Sequence, residues 1–289
     1  MQLRQSFVSG GADLGDFFDA FRLDLRSFLS TLRKTRAIAT GVQIVIFMTG
    51  RWREERERQS RTLVLDVLCH TPEARTTLQR ALQRAGYAVC ETACRHNLGE
   101  WASIPREKRT CLVQGSFKQR TVHLIELPRP VVQTALSRVY GSMAGTYLTG
   151  AGKMVSLFPH LTLVERRSWV PKQFSERTRS LVEDKYRGWR AVCEDDEVGE
   201  EIAGGGRSVD DSLCWSLLFD PSGGRLLPEK KRGAVTPNER IDGGRREAKP
   251  DEVKFSGRFP SMKASMNARG SVFDPGYWQW QRQRSKSTT

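Results

Sequence analysis

The chain has 289 residues, 38% of them apolar, and a formal net charge of +14, enough sequence for one large domain or two small ones. No run approaches the roughly eighteen consecutive apolar residues that a membrane-spanning helix needs. Met1–Ser6 leads to Asp13, Asp16 and Asp19 with no apolar stretch between, which argues against a secretory leader and predicts an intracellular protein, cytoplasmic or nuclear, with no membrane partner.

Residues 1–12 read as a flexible N-terminus. From Asp13 to Thr35, apolar residues at Leu14, Phe17, Phe18, Phe21, Leu25, Phe28, Leu29 and Leu32 recur every three or four positions, the period of one amphipathic helix or of two short ones. Ala37–Ala39 reads as a strand ending at Thr40-Gly41. Val42–Thr49 is an apolar run that periodicity leaves open between strand and buried helix. Residues 51–60 (RWREERERQS) read as an exposed connection, because mixed charge signs mark a solvated face. Arg61–Cys69 is a strand. Thr71-Pro72 opens a helix with Pro at its first position and Glu73 in its first turn, and Ala85-Gly86 closes it.

Tyr87–Cys94 reads as a strand, 95–109 as a polar loop, and Thr110–Phe117 with Thr121–Leu127 as a hairpin about Lys118-Gln119-Arg120. Pro130–Val139 fits a helix, and 140–153 is a glycine-rich connection. Lys153–Phe158 and Thr162–Arg166 are short strands, and Ser175–Arg190 is a charged amphipathic helix. From residue 221 the chain has too little apolar area to offset the entropy of ordering it. Residues 13–220 are therefore assigned to one folded domain and 221–289 to a basic, disordered tail.

The tail carries 15 Lys and Arg against 7 Asp and Glu, whereas residues 1–220 carry 32 against 26. Such charge attracts any polyanion through counterion release, which makes Lys230, Lys231, Arg232, Arg245 and Arg246 the candidate nucleic-acid contacts; a solvated tail is the plainer reading. Trp278-Gln279-Trp280 is a candidate docking motif. The six cysteines are dispersed and read as reduced core filler. Cys90, Cys94 and His96 cluster in sequence but lack a second ligand pair at zinc-finger spacing, so no metal is assigned to them.

Asp66 is the residue that asks for chemistry. It interrupts Leu63-Val64-Leu65-Asp66-Val67-Leu68, a run otherwise wholly apolar. A carboxylate is costly to bury unless it is paired or bound to a metal. Thr35-Arg36-Ala37-Ile38-Ala39-Thr40-Gly41, then Trp52, Val64-Leu65-Asp66 and Gly86-Tyr87, follow one another in the order of a known domain. So do Arg120-Thr121-Val122-His123-Leu124-Ile125, Leu157-Phe158-Pro159-His160-Leu161-Thr162, Lys185-Tyr186-Arg187-Gly188 and Arg207 to Trp215. Over about residues 20–220 the chain resembles the nucleotidyltransferase-like domain of uncharacterised fungal proteins.

That resemblance implies an α+β fold, a mixed β-sheet covered by helices. In the active members of such a fold, an Asp-x-Asp pair and a third acid on a neighbouring strand hold two Mg²⁺ ions. The two acids share a face because strand side chains alternate. A Gly-Ser turn before a helix N-terminus holds the triphosphate. Here Val64 takes the first acid position, Val42 stands where the Ser would be, and His123 is the polar residue on the third strand. The resemblance thus implies a relic site, with Thr40, Gly41, Asp66 and His123 as candidate nucleotide-binding residues and Asp66 as the catalytic relic. No cofactor is expected, and Mg²⁺ only where nucleoside triphosphate binding survives. The expected role is a non-catalytic binding or interaction protein whose protein partner is not specified. The alternatives are an active Mg²⁺-dependent transferase that recruits a ligand such as Glu126, and a nucleic-acid-associated protein acting through its tail.

Overall fold

The computed structural model of the chain describes residues 13–54, 62–90, 104–115, 119–128, 131, 134, 135, 141–169, 180, 183, 188–192 and 214–227. The Asp13–Thr35 pattern resolves into two helices, α1 (Leu14–Ala20) and α2 (Leu25–Thr35). Asp13 caps the first by accepting from the Gly15 N–H, and Asp24 caps the second through the Ser27 N–H at 2.9 Å. Arg22, with φ of 54°, makes the bend between them. The ambiguous apolar run is helix α3 (Val42–Met48), buried at every position. Helix α4 (Pro72–Arg84) is capped by Thr71, whose hydroxyl accepts from the Ala74 N–H at 3.1 Å, and ends at Gly86, φ 88°.

The strands are β1 (Ile38–Thr40), β2 (Thr62–Cys69), β3 (Ala88–Val89), β4 (Arg109–Gln114), β5 (Gln119–Glu126), β6 (Thr146–Thr149), β7 (Lys153–Ser156), β8 (Arg167–Trp169), β9 (Arg190–Val192) and β10 (Trp215–Leu218). Eight of them form a mixed sheet in the order β10-β7-β6-β1-β2-β5-β4-β3, and β8 pairs with β9 in a separate two-stranded sheet. Within the large sheet only β2 and β5 run parallel. The α+β expectation therefore holds, with a mixed sheet and helices packed on it.

Strand alternation splits the core into two layers. Leu65, Val67, Val122, Leu124, Ala39 and Leu148 face helices α1 to α4. Ile38, Leu68, Ile125, Tyr147 and Val155 face the opposite side, where Leu157, Phe158, Leu161, Trp169 and Val192 cover them. The helical layer is held by an aromatic wedge. Phe17 lies 5.1 Å from Phe18, 5.0 Å from Phe47 and 4.7 Å from Trp52, ring centre to ring centre. Such pairs add to the burial of their large apolar areas.

Several expectations need correction. Trp52 is buried rather than part of an exposed connection, because it fills the gap between Phe17 and Phe21. The glycine-rich stretch 140–153 contains β6, an interior strand of the sheet. Gly150 is there because the α2 backbone runs against it: a Cβ would come within 2.2 Å of the Arg33 nitrogen. Residues 160–164 form a π-helical turn rather than a strand, since Pro159 starts the turn in the αR region. Of the expected Tyr87–Cys94 strand, Ala88–Val89 is seen and 91–94 lie outside the described residues.

At the other end of the domain the chain stays in the fold past residue 220. Asp220 accepts from the Ser222 N–H, Phe219 bridges to Leu226, and the Gly224 carbonyl accepts from the Leu14 N–H at 2.9 Å. Val131, Thr134 and Ala135 are helical, as are Ser180 and Glu183; the rest of those two expected helices lies outside the described residues. So do Cys94, His96, the candidate contacts Lys230, Lys231, Arg232, Arg245 and Arg246, and Trp278 to Trp280. No described helix is long and apolar enough to cross a membrane.

Polar contacts tie the helical hairpin to the sheet, and in one of them Arg120 of β5 donates its Nε–H to the Ala20 carbonyl at 2.7 Å. Tyr87, at the start of β3, donates its hydroxyl to the Phe21 carbonyl at 2.6 Å in a buried position. Burial pushes its phenol well above the ordinary value, so it remains a donor. Tyr87→Phe is expected to lower the unfolding free energy by about 1–2 kcal/mol, because it leaves a buried carbonyl without that donor. Urea denaturation measures this, and an unchanged midpoint would show that the bond contributes nothing.

Candidate functional site

The four residues singled out by sequence come together. Thr40 on β1 lies opposite Asp66 on β2, and Asp66 lies beside His123 on β5. Gly41 follows Thr40 at the start of α3. All belong to the sheet face away from helices α1 to α4. That face carries one cross-strand row, Cys111, His123, Asp66, Thr40, Tyr147 and Val155, each aligned with the next.

Asp66 Oδ1 and His123 Nδ1 are 2.8 Å apart. Asp66 is 1% exposed and His123 0%. With Asp66 ionised, the carboxylate only accepts, and Nδ1 then carries the proton and donates. The bond fixes the ring's tautomer and orientation as a neighbouring carboxylate does in other histidine sites. His123 Nε2 is buried and finds no hydrogen-bond partner among the described residues.

The second carboxylate oxygen of Asp66 lies under the β1–α3 turn. Gly41 has φ of 98°, and a Cβ there would sit 2.8 Å from Asp66 Oδ2. Two constraints therefore converge on Gly41: a left-handed backbone and a carboxylate at its surface. The turn also brings the carboxylate to the N-terminal end of α3, where the helix dipole favours negative charge. Thr40 contributes differently from expectation. Its hydroxyl donates to the Thr146 carbonyl at 2.7 Å and so braces β1 against β6.

The positions around the pair do not make a metal site. Val64 shares the face of Asp66 and aligns with Thr121, which is buried and uncharged. Glu126 is engaged elsewhere, 3.5 Å from Arg75 Nε and 4.0 Å from Lys108 Nζ. Among the described residues no group of three or more His, Cys, Asp or Glu side chains converges as an ion would require. Two Mg²⁺ ions want several oxygen ligands each, and one buried carboxylate already bonded to an imidazole does not supply them. A cleft of about 320 Å³ lies at the other end of β1, lined by Lys34, Arg36, His70, Thr71, Glu73 and Thr77. Neither Asp66 nor His123 reaches it.

The direct pairing of Asp66 with His123 escaped sequence reasoning, which grouped the two only as candidate nucleotide-binding residues. The signal lies in the parallel register of β2 and β5, 57 residues apart in sequence. Cys111 and Tyr147, which flank His123, Asp66 and Thr40 in the row, carried no signal at all. The chain matches no family model, no curated protein and no solved structure.

Removing one partner of a buried hydrogen-bonded pair that contains a carboxylate strands the other. Asp66→Ala and His123→Ala are each expected to destabilise by about 3 kcal/mol. The double variant should lose less than the sum, with a coupling of about 1–3 kcal/mol. Denaturant unfolding of the four proteins gives the cycle; additive losses would show that the two side chains do not act as a pair.

Proposed function

We propose that the chain is a non-catalytic nucleotidyltransferase-like domain that acts by binding, with a closed Asp–His pair where a metal site would be. The observation that carries this reading is the 2.8 Å bond between Asp66 and His123, with both side chains buried. The topology supports the fold assignment. Helix α2, β1, α3, β2 and α4 alternate, β3, β4 and β5 follow, and β1, β2 and β5 are adjacent in that order, antiparallel then parallel. The helices pack on one face, and Asp66 lies on the other. The Gly41 turn meets Asp66 at the head of α3, as a phosphate-binding turn meets its acids. Fold alone assigns no activity, because activity belongs to the site. Here the first acid position is Val64, and His123 replaces the third acid.

Titration with Mg²⁺ plus each of ATP, GTP, CTP and UTP is expected to give no saturable heat, and labelled triphosphates are expected to leave no label on RNA or protein acceptors. Saturable binding that Asp66→Asn abolishes would overturn the reading. The complementary test restores the acids. Val64→Asp combined with His123→Asp places three carboxylates on adjacent positions of one face, and Mn²⁺ affinity absent from the parent should appear in the folded variant.

The concentration of positive charge after Asp220 favours a second reading, association with nucleic acid through the tail. It predicts affinity for a mixed-sequence RNA or DNA that falls steeply with salt and is lost when the chain ends at Leu227. Retention of that affinity by the shortened chain would assign binding to the folded domain instead.

A further inference from the structure

The geometry points to a reversible disulfide between Cys90 and Cys111, a modification site independent of the reading above. The register of β3 and β4 aligns Ala88 with Val113 and Val89 with Leu112. The next step of that register sets Cys90 directly opposite Cys111, and the Cys90 N–H donates to the Cys111 carbonyl at 2.9 Å. Opposed residues at such a hydrogen-bonding position of an antiparallel pair have Cα atoms about 5.5 Å apart. A disulfide spans Cα separations of roughly 4.4–6.8 Å. Both residues are thiols. Their side chains share a sheet face, because directly opposed residues of adjacent strands project to the same side.

The two thiols differ in access. Cys111 is fully buried, in the row that continues to His123 and Asp66, whereas Cys90 is half-buried where the chain leaves the sheet edge. Oxidation by a small disulfide such as oxidised glutathione then has a defined order. The Cys90 thiolate attacks one glutathione sulfur, breaking that S–S bond, and the departing glutathione takes up a proton. Cys111 sulfur next attacks the Cys90 sulfur of the mixed disulfide. The Cys90–Cys111 bond forms, and the second glutathione leaves with the Cys111 proton. Two protein thiols are oxidised and one glutathione disulfide is reduced to two thiols. The product pins the short edge strand β3 to β4. Cys69 provides an internal control, since its neighbours place no cysteine opposite it and burial pushes its thiol up to about 12.

The full chain, equilibrated with oxidised glutathione, should lose two hydrogens in mass and, when denatured and alkylated, take up two fewer alkyl groups than the reduced chain. Protease digestion should yield one peptide pair joined through Cys90 and Cys111. The link should persist in Cys94→Ser, vanish in Cys90→Ser and reverse fully on adding a dithiol reductant. Cys90→Ser tests the assignment without disturbing the buried member. A Cys90–Cys94 link, a glutathione adduct that stays on Cys90 without closing, or no loss of thiols would each overturn the proposal.

Discussion

The structure around the sheet centre depends on a carboxylate that has been taken out of water and given a partner. Burying Asp66 unpaired would cost several kcal/mol. The parallel alignment of β2 with β5 removes most of that cost by bringing His123 to 2.8 Å. A slip of one residue in this register would turn His123 to the helical face and leave Asp66 against Val122 or Leu124. The pair therefore specifies register as well as satisfying charge. Gly41 is part of the same constraint, because any side chain there would press on the other carboxylate oxygen.

Apolar packing holds the two layers around this centre. On the helical side, the rings of Phe17, Phe21, Phe47 and Trp52 interlock α1 with α3, and Phe219 reaches the same cluster from the end of β10. The last described residues matter for that reason. Gly224 receives the first turn of α1 through the Leu14 N–H, so the turn at 220–225 closes the domain rather than leading away from it. Few branched aliphatics made that segment look like tail. Its role is served by backbone hydrogen bonds, which residue type records poorly.

The legible parts of the fold were those written in local chemistry. Thr71, Pro72, Glu73 and Gly86 each mark a helix end by a mechanism that acts within a few residues, and α4 followed from them. The three-and-four spacing of the phenylalanines gave α1 and α2 their buried face. Asp66 stood out because charge in an apolar strand is costly wherever the strand goes. Strand β6 was hidden by its flanking glycines, which serve close packing against α2 and against Leu157 and Phe158. Trp52 was hidden by the charged residues around it. The partners Asp66–His123 and Cys90–Cys111 were hidden for a common reason: each is set by strand register, which is a tertiary property.

A catalytic cluster of carboxylates is a liability to the fold that carries it. Like charges held close repel, and each must stay hydrated enough to exchange ligands. On the reading proposed above, Val64 in place of the first acid and His123 in place of the third remove that repulsion and leave Asp66 beside an imidazole. A buried Asp–His pair requires no access to water, and the row that holds it is buried through Thr40 to Tyr147. Opening this face to a triphosphate and two ions would sacrifice that packing and expose Asp66 and His123 with no compensating ligand set. On that reading, the absence of two acids and the burial of the face support one another. In the proposed function, the interior of such a domain serves stability and its contacts with other molecules are made from its surface.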